Sequence, residues 1–207
     1  VNTAATGFTI NSTGGAIASF AINATPAGMS FNATTGALTG TPTTVAGATA
    51  YTITATNASG SATATFTLTV NPGAATKAMM TTQPAGAVSG SALTTQPVVR
   101  VTDSGDNSVA SFTGNVVASI ASGTGTLSGT TTVAAVAGVA TFTNLVITGT
   151  AGNFTLTFTP TSLTAATSSS FALAAGAATK VAITRASVGT RDNIAFTTQP
   201  QITVQDA

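Results

Sequence analysis

Apolar and polar positions alternate along most of this chain. Phe66, Leu68 and Val70 alternate with Thr65, Thr67 and Thr69. Phe154, Leu156 and Phe158 alternate with Thr155, Thr157 and Thr159, and Tyr51, Ile53 and Ala55 with Thr52, Thr54 and Thr56. A period of two places apolar groups on one face of a strand and threonines on the other. Threonine is β-branched and suits an exposed strand face. No stretch carries a capped 3.6-residue period, and the Ala-rich piece Val133 to Val139 is short and broken by Gly138. The pattern predicts an essentially all-β chain.

Turn residues punctuate these strands. Asn57-Ala58-Ser59-Gly60 separates the predicted strands Tyr51–Thr56 and Ala62–Val70 and reads as a hairpin loop. Thr34-Thr35-Gly36 and Gly40-Thr41-Pro42 bracket a short strand at Ala37–Thr39. Gly123-Thr124-Gly125, Gly129, Gly138 and Gly149 to Gly152 punctuate the later part. Many short strands at this spacing predict β-sandwiches with Greek-key connections.

The chain also repeats itself. Gly73-Ala74-Ala75-Thr76-Lys77 returns as Gly176-Ala177-Ala178-Thr179-Lys180, and Thr94-Thr95-Gln96-Pro97 returns as Thr197-Thr198-Gln199-Pro200. Both pairs are 103 positions apart (176 minus 73, 197 minus 94). A fixed period means modules in a row. Asn71-Pro72-Gly73 closes the first, residues 1–72, and Ala174-Ala175-Gly176 closes the second, residues 73–175. Residues 176–207 are the start of a third copy, either a donor segment or a domain cut from a longer chain, with a strand expected at Gln201–Gln205.

Composition narrows the function. Charged residues make up 4% of the 207, against roughly 25% in average soluble proteins. A net charge of +1 provides no field to steer nucleic acid or an anionic membrane. Weak charge repulsion makes close packing of chains cheap, which suits a fibre, sheath or surface layer. Cysteine and histidine are absent, which excludes disulfides, Cys-based metal sites and Ser-His-Asp or Cys-His catalysis. No apolar run is long enough to span a membrane. No signal peptide opens the chain; if the protein is secreted, that segment was removed or lies outside this stretch.

The segment from Pro26 to Thr43, with Gly28, Asn32, Thr35-Gly36, Leu38 and Gly40-Thr41-Pro42, resembles the signature of the putative-Ig family of bacterial surface repeats. Tyr51 to Gly60 matches the strand that follows it in that family. Met29 stands where the family favours leucine, a mild change in volume. The family begins with an extra strand before the position of Phe8, which implies here a sandwich that lacks its first strand. The second module resembles the Thr-rich Ig-like repeats of large bacterial adhesins, through Thr81-Thr82-Gln83-Pro84, Val99 to Asp103 and Gly138 to Phe142. Together these imply tandem extracellular Ig-like β-sandwiches with a C-terminal partial repeat, and no defined activity.

Candidate chemistry is sparse. Asp103 and Asp106, in Asp103-Ser104-Gly105-Asp106-Asn107-Ser108, are the one close pair of carboxylates. They read either as a calcium loop, because hard oxygens at near-alternate positions suit that ion, or as a β-turn. The lack of a further acid favours the turn, and no other cofactor is expected. Lys77 and Lys180 sit at equivalent positions. They read as strand-edge charges that block unwanted pairing, or as partners in a Lys–Asn isopeptide bond, which needs a carboxylate that is scarce here. Asn11, Asn23, Asn32, Asn57 and Asn153 head N-x-S/T triplets that a Thr-rich chain produces by chance. There is no Trp. Tyr51, which shares a face with Ile53, is expected in the core rather than on a sugar platform, so glycan binding is not expected.

The leading expectation is an extracellular or cell-surface structural protein, not an enzyme, that stacks end to end into a filament, fibre or sheath. Strand material at 176–207 would dock on a neighbouring subunit, with Phe196, Ile202 and Val204 on the donor side and Phe8 and Ile10 on the acceptor side. The alternative is an adhesin stalk that spaces a distal binding domain from the cell. An ice-binding threonine array is disfavoured, because a sandwich twists.

Overall fold

A computed structural model describes residues 15–189 and 193–206. The chain is all β, with no helix among the described residues. It divides into two compact units, Val1–Thr76 with Thr102–Val109, and Lys77–Val101 with Ala110–Ala207.

The first unit holds β1 (Ser19–Ile22), β2 (Met29–Phe31), β3 (Leu38–Gly40), β4 (Ala46–Asn57) and β5 (Gly60–Val70). β1, β4 and β5 form one antiparallel sheet, and β2 and β3 pair separately. The hairpin expected from Asn57 to Gly60 closes on the pair Asn57↔Gly60. The Asn57 side-chain oxygen accepts the Ser59 N–H there, at 2.9 Å. Both strands run longer than the alternation suggested, because the ladder tolerates small residues such as Ala46 and Gly60 at its ends. The short strand predicted at Ala37–Thr39 lies one residue later. Buried apolar side chains come from both sheets: Phe20, Ile53 and Val70 from one, Met29 and Leu38 from the other.

The Pro26–Thr43 signature has a mechanical basis. Gly28 and Gly40 both take positive φ, 79° and 115°, where a Cβ is strained. Their backbones also touch: a Cβ on Gly40 would sit 2.7 Å from the Gly28 carbonyl oxygen. Between them, the Asn32 side chain accepts the N–H groups of Thr34 (2.8 Å) and Thr35 (3.0 Å), making the Asx turn that leads into β3.

The second unit begins with β6 (Lys77–Thr82), β7 (Ala87–Val88), β8 (Val98–Thr102), β9 (Asn115–Ser122), β10 (Gly125–Ser128) and β11 (Thr132–Ala134). β12 (Val139–Thr141), β13 (Val146–Gly149), β14 (Gly152–Pro160), β15 (Ala166–Thr167) and β16 (Phe171–Ala174) follow. One sheet has the order β12-β8-β6 and the facing one β11-β9-β14-β16-β7, with β15 on β14 and β10 paired to β13. This is an Ig-like β-sandwich. The alternation in β14 aims Phe154, Leu156 and Phe158 inward, where all three are buried with Val116, Ala118 and Val99. Phe158 packs on Phe142 with ring centroids 5.2 Å apart and planes tilted by 57°. The Ala-rich stretch after Val133 is a turn between β11 and β12, with Ala137 and Gly138 at positive φ.

The unit ends in a two-stranded antiparallel sheet, β17 (Lys180–Arg185) and β18 (Gln201–Gln205). β18 occupies the residues where the sequence predicted a strand.

Candidate functional site

Shifted by 103 positions, β17 and β18 fall on β6 and β8, and the hydrogen bonds around them recur. Thr81 Oγ1 donates to the Val98 carbonyl at 3.1 Å, and Thr184 Oγ1 to that of Gln201 at 3.3 Å. The bridge Ala85↔Thr95 becomes Val188↔Thr198. Gly73 N–H donates to Asp103 Oδ2 at 2.8 Å, and Gly176 N–H to Asp206 Oδ2 at 2.8 Å. The third segment therefore repeats two strands, β6 and β8, of one sheet of the second sandwich.

The facing sheet has no counterpart among the described residues. Gln96 shows the difference. Its Nε2 donates to the Leu93 carbonyl (3.0 Å) and the Leu145 carbonyl (3.2 Å), and its Oε1 accepts the Leu145 N–H (2.9 Å). The equivalent Gln199 retains the first of these bonds, to Phe196 O at 3.4 Å. The apolar positions show it more strongly. Ala78, Val99 and Val101 are 8%, 0% and 0% exposed, and Met80 packs against the core. Their equivalents Val181, Ile202 and Val204 are 67%, 62% and 63% exposed, and Ile183, the equivalent of Met80, is 70% exposed. Val181↔Val204 and Ile183↔Ile202 are direct cross-strand pairs. The four form one contiguous apolar patch. Lys180 and Arg185 stand at the two ends of β17.

A second apolar surface lies in the first unit. A groove of about 520 Å³ is lined by Ile53, Ala55, Ala62, Ala64 and Phe66 with Thr63 and Thr65. Ile53↔Ala64 and Ala55↔Ala62 are cross-strand pairs of β4 and β5, so the alanines form a shallow floor. Tyr51 stacks on Phe66 at 5.5 Å and 24°, which places it in packing. No residue from 1 to 76 is charged.

The Asp103 loop belongs to the first unit. Asp103 is shielded from solvent. Its carboxylate accepts the N–H groups of Gly73 (2.8 Å), Gly105 (2.9 Å) and Asn107 (2.9 Å), and the Asn107 side-chain amide (3.1 Å). Burial alone would raise its pKa, but these hydrogen bonds to the charged form outweigh burial and hold the carboxyl below its ordinary value. Asp106 sits in the left-handed turn at φ 66° and donates its N–H to the Asp103 carbonyl. Both Asp103 oxygens face N–H donors, an arrangement suited to a turn and a linker tie rather than to a cation. No cluster of three or more His, Cys, Asp or Glu suited to a metal occurs among the described residues.

Comparison with known families completes this picture. Residues 1–71 match the family described as Putative Ig domain. The Putative Ig domain match takes in the Gly28–Gly40 contact, the Asx turn and the β4–β5 hairpin. No curated protein matches the chain. Among solved structures, a glycosyl hydrolase family 2 member from Bacteroides cellulosilyticus is 17% identical over 67% of this chain and 19% of its own, with a TM-score of 0.41. A β-glycosidase from Bacteroides vulgatus is 15% identical over 75% and 21%, also at 0.41. A chimeric titin Z1Z2-Z1Z2 tandem is 18% identical over 77% and 83%, at 0.28. The chain spans about a fifth of the two glycosidases, and at these TM-scores none of the three bears on function.

Of the contact residues named from sequence, Ile202 and Val204 lie on the exposed patch, and Phe196 is 41% exposed. Phe8 and Ile10 lie outside the described residues. Sequence reasoning missed Val181, Ile183, the alanine-floored groove and the part played by Asp206. The signal for Asp206 was present, since adding 103 to Asp103 reaches it.

Proposed function

We propose that this chain is an extracellular structural protein whose Ig-like modules stack end to end into a filament or sheath. Self-association runs through the β17–β18 face. The observation that supports this reading is the succession of modules: residues 1–71 match a Putative Ig domain, the second unit is an Ig-like β-sandwich, and the 103-residue repeat begins again at 176. A chain with 4% charged residues adds little repulsion between subunits. A Putative Ig domain module and the absence, among the described residues, of a helix able to cross a membrane are consistent with a surface location.

Electron microscopy of the purified chain, negatively stained over a range of concentrations, tests the reading. Filaments with a regular axial repeat are expected, and deletion of 176–207 should abolish them. Separate monomers at every concentration would contradict assembly and favour a passive stalk.

A further inference from the structure

We infer that the Gly-Ala-Ala-Thr segments 73–76 and 176–179 are clamped joints, each locked by the carboxylate that follows β8 or β18, where one repeat passes into the next. By composition such a segment reads as a flexible tether. Its hydrogen bonds make it otherwise. Gly73 N–H donates to Asp103 Oδ2 at 2.8 Å, and Thr76 N–H donates to the Thr102 carbonyl at 2.8 Å. One repeat later, Gly176 N–H donates to Asp206 Oδ2 at 2.8 Å, and Thr179 N–H to the Gln205 carbonyl at 2.9 Å. Thr102 and Gln205 are the last residues of β8 and β18. Each segment is thus tied at both of its ends to the end of one strand.

Little free chain is left upstream of these ties. β16 ends at Ala174, whose carbonyl accepts the Ser89 N–H at 2.9 Å. One residue, Ala175, separates that bond from the one at Gly176. A Cβ on Gly176 would lie 2.7 Å from the Ser89 carbonyl oxygen, so the backbone here runs too close to Ser89 for a side chain. At the first passage, Asn71 and Pro72 separate β5 from Gly73, and the proline ring fixes one of their φ angles. Asp103 is 1% exposed and also accepts the Gly105 and Asn107 N–H groups, so water competes little for its bond to Gly73. With so few free dihedrals, successive repeats move together rather than as beads on a string. Bending and pulling loads then pass from repeat to repeat, which serves a filament and a stalk alike. The joints need no contact between copies, so a failure of self-association leaves them standing.

Amide hydrogen exchange of the full chain, read residue by residue by NMR, tests the joints. The Gly73, Thr76, Gly176 and Thr179 amides should exchange far more slowly than those of an unstructured peptide. Exchange at peptide rates would overturn the inference. Asp103→Ala should speed exchange at Gly73 by about tenfold or more, while Val99, Leu156 and Phe158 keep their protection. Asp206→Ala should do the same at Gly176, and it decides the matter if Asp103→Ala fails to fold. Unchanged rates at both glycines would overturn the role of the carboxylates. Nitrogen-15 relaxation adds a readout that a merely local hydrogen bond would not move. In the native chain, β4 and β5 should share one rotational correlation time with β9 and β14, and in Asp103→Ala the two sets should separate. Independent tumbling in the native chain, or common tumbling kept in the variant, would overturn the clamped joint.

Discussion

A carboxylate removed from water is stable only where donors replace the lost hydration, and Asp103 has gathered four. Asp103→Ala would leave the N–H groups of Gly73, Gly105 and Asn107 without this acceptor. A loss of about 1–3 kcal/mol is expected, read as a lower urea midpoint. The protonation linkage has a definite sign. A carboxyl whose folded pKa is depressed contributes stability that is present above its unfolded value of about 3.9 and is lost as pH falls through the folded value. Between pH 7 and pH 2 the melting temperature of the native chain should fall more steeply than that of Asp103→Asn. Equal slopes would remove Asp103 from the account. The sequence already favoured a turn here, because Asp, Gly and Asn in one short loop satisfy one another locally. It did not reveal that the carboxylate reaches back to Gly73, since that contact spans 30 positions and depends on how β8 ends.

At the scale of elements, the strands were legible because alternation has a direct physical consequence: a half-buried strand must segregate its two faces. Phe154, Leu156 and Phe158 are buried as the pattern required. The signature around Gly28 and Gly40 was legible as well, and the structure supplies its reason in two positive-φ glycines in mutual contact. Gly28→Ala places a Cβ against the Thr41 carbonyl and Thr43. It should destabilise the first unit by on the order of 1–3 kcal/mol, measured as a lower thermal midpoint for that unit. An unchanged midpoint would show that the close approach can relax. Pairings were not legible. The parallel ladder of β16 with β7 joins residues far apart in sequence, and period-two alternation says nothing about which strand lies next to which.

At the scale of the whole molecule, the 103-residue period was the most telling signal, because it turns the second sandwich into a template for the third segment. It located β17 and β18 and, once the structure was known, matched their apolar positions to those of β6 and β8. Sequence alone pointed to Ile202 and Val204 but not to the groove, whose floor is made of alanines that carry no motif. Each of the four exposed side chains is worth about 1.5–3 kcal/mol when buried. Association costs roughly 4–15 kcal/mol in lost freedom. These sums are close to balance, so assembly should depend strongly on concentration. The most direct measurement is sedimentation velocity of the full chain over a wide concentration range, beside the variant Ile183→Thr/Ile202→Thr, which keeps β propensity at exposed positions. The account predicts that the native chain passes from monomer to large species as concentration rises, while the variant stays monomeric. A native chain that sediments as a monomer throughout, or a variant that assembles as readily, would contradict it.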